Sequence, residues 1–140
     1  MSRLLTTVLP LGLLALIGCS SDPIGRTVPV KGTVSTGSGP LKTGTIAFWP
    51  DAAKGNKVPA EPSASIGEDG SYELFTAGRP GAPPGWYKVT VTAQAEADAK
   101  NPYAVRKSLI DTTFALKDKT PLQVEVVDAP AAGQYDLKVK

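Results

Sequence analysis

The chain has 140 residues, with 15 Lys and Arg against 13 Asp and Glu, no histidine, one cysteine, 14 Gly and 13 Pro. A formal charge of only +2 argues against the clustered basic face that nucleic acid requires. Without imidazoles and with a single thiol there is no Ser-His or Cys-His nucleophile pair and no His/Cys zinc set, and the Gly and Pro content favours a loop-rich β architecture.

Arg3 precedes an almost wholly apolar run from Leu4 to Ile17, well short of the roughly 20 residues that span a hydrocarbon core. Pro10 and Gly12 interrupt it further. A charged start, a short apolar run and small Gly18 before Cys19 have the layout of a secretory signal. The run Leu16-Ile17-Gly18-Cys19 resembles a bacterial lipobox, in which the thiol receives a diacylglycerol and the new amino terminus is acylated. That resemblance implies a signal peptide over 1–18, lipidation at Cys19, and anchoring at about 0.8 kcal/mol per buried methylene. The bland alternative is an uncleaved apolar segment or an ordinary signal, with Cys19 incidental. Residues 19–27 then form the lipidated cysteine and a flexible tether, polar around Pro23 and Gly25. Ser20 and Ser21, by sorting rules that hold in some bacteria, point to the outer membrane of the cell envelope.

From Val28 the pattern has period two. Val28, Val30 and Val34 share one face against Lys31, Thr33 and Ser35, as a half-buried strand requires. Gly37, Gly39 and Pro40 break the run, and Leu41 is expected to tuck under the core. Over 44–49, Ile46 and Phe48 alternate with Thr45, Ala47 and Trp49, and Pro50 stops the strand. Residues 51–62 read as a polar loop with Lys54 and Lys57 solvated. Ala64 and Ile66 lead into Glu68-Asp69-Gly70-Ser71, a hairpin signal, with Tyr72 and Leu74 facing inward beyond it.

Residues 78–85 form a stiff Gly/Pro loop containing Arg79. The clearest strand follows, with Tyr87, Val89 and Val91 inward and Trp86, Lys88, Thr90 and Thr92 outward. Residues 93–100 read as a long loop ended by Asn101-Pro102, and 110–114 as a short edge segment. Leu122, Val124 and Val126 alternate with Gln123 and Glu125; Tyr135, Leu137 and Val139 alternate with Asp136, Lys138 and Lys140. About seven short strands with turn signals between them favour an all-β antiparallel two-sheet sandwich, with a closed barrel as the alternative.

Val30-Lys31-Gly32-Thr33-Val34, Leu41, Gly44-Thr45-Ile46-Ala47-Phe48, Asp69-Gly70-Ser71-Tyr72, Gly81 to Val89 and Thr120-Pro121-Leu122 carry a resemblance. Together they resemble the carboxypeptidase regulatory-like, transthyretin-like domains of small bacterial lipoproteins, over residues 28–140. The resemblance implies a seven-stranded prealbumin-like β-sandwich acting as a non-catalytic accessory or surface module. A related branch hydrolyses a purine breakdown product with histidines and a terminal Tyr-Arg-Gly-Ser type motif. This chain has no histidine and ends Leu137-Lys138-Val139-Lys140, so that activity is not implied.

No cofactor or metal is expected, and no nucleic acid. Glu68-Asp69-Gly70-Ser71 lacks the alternating Asp and Asn of a calcium loop and reads as a turn. Trp49, Trp86 and Arg79, each in or beside a Pro/Gly-rich segment, are the candidate binding residues for an envelope protein or polysaccharide. The competing reading packs both indoles under neighbouring loops. Lys31, Lys88 and Lys138 read as solvated strand faces that protect sheet edges. Exposed, clustered tryptophans favour a loop-binding module on the membrane; full burial favours a structural spacer. A carboxylate-only hydrolase stands third and needs two facing buried acids.

Overall fold

The computed structural model describes residues 21–140; the signal segment and Cys19 lie outside the described residues. Ten short strands build two sheets. In the first, β1 (Lys31–Thr36) pairs antiparallel with β2 (Gly39–Pro40) and β5 (Ser71–Glu73), and parallel with β10 (Leu137–Lys138). The second comprises β3 (Thr45–Pro50), β4 (Ser63–Ser65), β6 (Phe75–Thr76), β7 (Arg79–Pro80), β8 (Gly85–Thr92) and β9 (Gln123–Val126). Its order is β7-β6-β4-β3-β8-β9, antiparallel throughout.

The period-two faces meet in one core. Val34 of the first sheet, Val30 just before its β1, and Ile46, Phe48, Tyr87, Val89 and Val91 of the second sheet are fully buried, with Val124, Val126, Leu137 and Val139 beside them. Leu41 tucks in as expected, its N–H donating to the Val34 carbonyl at 2.9 Å. Polar groups inside are satisfied: the Tyr72 hydroxyl donates to the Tyr135 carbonyl at 2.6 Å and the Tyr87 hydroxyl to the Pro83 carbonyl at 2.7 Å. Burial pushes both phenols up, because it penalises the charged phenolate, and at Tyr87 it outweighs an opposing contribution from Asn56.

Several expectations need correction. Among the described residues the strands number ten, because two-residue pairings such as β2 and β7 are too brief to show any period. The pairing is not wholly antiparallel: the last strand returns beside β1 in the same direction, Val34 opposite Leu137. Residues 110–114 are not an edge strand. Asp111 caps a 3-10 turn over Thr112–Ala115 that buries Phe114, and Ile110 is buried just before it. The segment 78–85 is only partly a loop, since Arg79–Pro80 closes a hairpin onto β6 through Ala77 and Gly78, both at positive φ. Thr90 is buried, not solvated.

The Asp-Gly turn forms, with Gly70 at φ +81° and its N–H donating to the Gly67 carbonyl at 2.9 Å. Asp69 accepts from the Ser71 hydroxyl at 2.6 Å and the Ser71 N–H at 3.0 Å, and these bonds hold its carboxyl below the usual range. Beyond the turn the strands part: β4 pairs with β3 and β6, whereas β5 pairs with β1. The turn therefore links the two sheets.

The described part of the tether is strapped to the domain. Arg79 holds Asp22 through both guanidinium nitrogens, at 2.6 and 3.2 Å, and also donates to the Gly25 carbonyl at 3.2 Å. Arg26 makes a two-pronged pair with Asp128. These hydrogen bonds from arginine hold the carboxyls of Asp22 and Asp128 below their ordinary pKa. The strap is therefore intact above the ordinary carboxylate range, near about 3.9, and is lost as pH falls through the lower folded values. Backbone NMR order parameters at Gly25 and Thr27 are expected to fall from the rigid value of about 0.85 towards about 0.6 in acid, and to fall with added salt at neutral pH. Order parameters unchanged between neutral and acid solution would contradict the strap.

Candidate functional site

Strand alternation places Trp49 and Trp86 on the outer face of the six-stranded sheet. Trp49 lies opposite Lys88, and Trp86 lies two residues before Lys88, so the indoles are diagonal neighbours across β3 and β8. Both are half-buried. Neither the clustered full exposure nor the full burial weighed from sequence is what forms.

Each indole carries a lysine. The Lys54 ammonium stands 3.9 Å from the Trp86 ring centroid and also donates to Gln123 Oε1 on β9 at 2.7 Å. The Lys117 ammonium stands 5.1 Å from the Trp49 ring centroid. A cation over an indole face is attracted by the ring quadrupole, by about 0.5–1 kcal/mol at exposed sites. Trp49 Nε1 donates to the Thr90 hydroxyl at 2.9 Å, which satisfies that buried oxygen and fixes the ring's tilt.

The loop flanking Trp86 is built, not slack. Asp51 is buried and caps the 3-10 turn Ala52–Lys54, accepting from the Ala53 N–H at 3.2 Å. Buried Asn56 donates from Nδ2 to the Trp86 carbonyl at 2.9 Å and accepts from the Val58 N–H at 3.2 Å. The Asp51 N–H reaches the same Trp86 carbonyl at 3.0 Å. Residues 51–58 are thus tied to the start of β8, and Lys54 is delivered to the ring by that tie.

Two open grooves of about 510 and 490 Å3 lie on either side of this loop and share Asn56, Lys57 and Val58. Trp86, Lys54, Glu125 and Pro23 of the tether line the first; Lys117 and Glu61 line the second. Comparison with protein-family models, with curated proteins and with solved structures found no match. The site rests on its own geometry.

Of the sequence candidates, the fold brings Trp49 and Trp86 onto one face and leaves Arg79 off it. Arg79 sits on β7, the edge strand at the opposite end of the sheet order from β9, with its guanidinium engaged by Asp22. Among the described residues no three His, Cys, Asp or Glu side chains gather as a metal site. The residues that sequence reading missed are Lys54, Asn56 and Lys117. Nothing local to Trp49 announces Lys117, which reaches it from beyond the Thr112–Ala115 turn.

Proposed function

We propose that this chain is a non-catalytic, lipid-anchored cell-envelope module that binds a protein or envelope polymer through its loops. It is acylated at Cys19, sits at the outer membrane, and carries a carboxypeptidase regulatory-like, transthyretin-like β-sandwich over residues 28–140. The all-β architecture with two sheets around one core supports the sandwich reading. The observation that carries the binding reading is the pair of half-buried, lysine-capped indoles on one outer face beside a loop fixed to β8. Aromatic surface left accessible on a rigid face is the kind of patch that binding uses. The strap at Asp22 and Arg26 favours a second reading, a structural spacer held at a set orientation. A hydrolase needs facing buried acids; Asp51 is the one buried acid among the described residues, and its carboxylate accepts from Ala53.

Two measurements test the proposal. Cys19→Ala is expected to abolish membrane association and the acylated mass seen for the wild type; unmodified soluble protein in both removes the anchor. The unlipidated Cys19→Ala chain, although no longer held by lipid, is expected to sediment with envelope material stripped of its lipid by detergent, and Trp49→Ala with Trp86→Ala to abolish that. Equal sedimentation of the folded double variant would leave the spacer reading.

A further inference from the structure

We infer that the Trp86 groove takes an acidic polysaccharide, a polymer of uronic-acid type sugars, and this rests on the binding reading above. Trp86 supplies a planar apolar floor on which the C–H face of a sugar ring can lie. Lys54 and Lys57 flank it, and Glu125 is the one acid on the lining. Lysine is a flexible point cation, so the Lys54 side chain, its ammonium now 3.9 Å above the ring, can swing off the indole face, which frees that face for the sugar and carries the ammonium to a ligand carboxylate. Glu125 is an acceptor suited to a sugar hydroxyl.

The shape favours a polysaccharide over a protein. Protein anchors fill deep, desolvated pockets. Here the surface is open and elongated: the two grooves meet at Asn56, Lys57 and Val58, and the second brings a further cation, Lys117. A polymer lying along that path passes three lysines and two acids, with Lys54 and Lys117 standing over the indoles and Lys57 shared by both grooves. A neutral glycan would leave those cations unused, and a simple polyanion would leave the indole unused.

The full Cys19→Ala chain carrying Trp49→Phe leaves Trp86 as its single tryptophan reporter. Titration with polygalacturonate is expected to give a saturable change in Trp86 fluorescence that weakens with salt. Lys57→Met, an exposed position that leaves the fold intact, is expected to weaken binding about tenfold. Trp86→Phe, followed by calorimetry, is expected to weaken it similarly. Dextran and poly-L-glutamate are the controls for sugar without charge and charge without sugar. The assignment is overturned if polygalacturonate does not bind, if either control binds as tightly, or if Lys57→Met binds like its parent. Loss of polygalacturonate binding with envelope sedimentation retained would remove the acidic-polysaccharide assignment and leave the broader binding reading standing.

Discussion

Phe48→Ala is expected to destabilise the domain by about 4 kcal/mol, measured as the change in urea-unfolding free energy at constant m-value. Phe48 is fully buried, with its ring centroid 5.7 Å from that of Tyr87 and 6.4 Å from that of Tyr72. Tyr87 belongs to β8 and Tyr72 to β5, so this one ring joins the two sheets. Its removal leaves a cavity that neither tyrosine can fill, because each hydroxyl is held by a backbone carbonyl. Domains have only about 5–15 kcal/mol of stability in all, so a change of this size moves the unfolding midpoint a long way. Phe75→Ala is the control: Phe75 is 46% exposed, and its loss is expected to change stability by less than about 1 kcal/mol. Comparable losses for the two variants would mean that the sheets are not joined through Phe48.

Phe48 was legible in the sequence for the same reason that it matters. Alternation is a local property, and a strand with one buried face writes it directly into residues 44–49 and 86–92. The inward positions Ile46, Phe48, Tyr87, Val89 and Val91 are all fully buried. The outward positions were legible only as not core. Thr90 alternates outward and is buried all the same, because Trp49 reaches across to bond its hydroxyl and the Thr112–Ala115 turn packs on β8. What covers an outer face comes from distant chain, and no period records it.

The site divides along the same line. Trp49 and Trp86 could be placed on one sheet face from local patterning, since both occupy outward positions of strong strands. Their diagonal relation depends on the register Trp49 to Lys88, which joins segments far apart in sequence. The lysine caps were hidden further. Lys54 has the local look of a solvated loop residue, and only the bonds of Asp51 and Asn56 to the Trp86 backbone carry it to the ring. Arg79 was legible as a lone cation in a stiff loop. Its occupant, Asp22, lies in a segment whose composition reads as slack tether.

Gly81→Ala is expected to destabilise the domain by about 4 kcal/mol, through overpacking added to left-handed strain. Gly81 has φ +89°, and a Cβ there would lie 2.0 Å from the Val28 carbonyl oxygen. Its three nearest atoms, the Val28 carbonyl oxygen and carbon and the Pro29 nitrogen, are all backbone, so no side-chain rotation relieves the contact. Gly81 cannot shift either: its N–H donates to the Leu74 carbonyl at 2.7 Å, and its carbonyl accepts from the buried Thr76 hydroxyl at 2.6 Å. The chain that must yield is Val28, which exchanges hydrogen bonds of 2.9 and 3.0 Å with Ala82. Gly78→Ala separates the two causes, since Gly78 has φ +80° but open space around its Cα, and its loss is expected to be about 1 kcal/mol from strain alone. Equal effects at the two glycines would mean that the Val28 seam is loose. A strong effect at Gly81 alone carries to the site, because the seam joins the strapped tether to Pro83, Pro84 and Gly85. Those residues lead directly into Trp86, so opening the seam is expected to expose the indole and shift its emission to the red before the core unfolds.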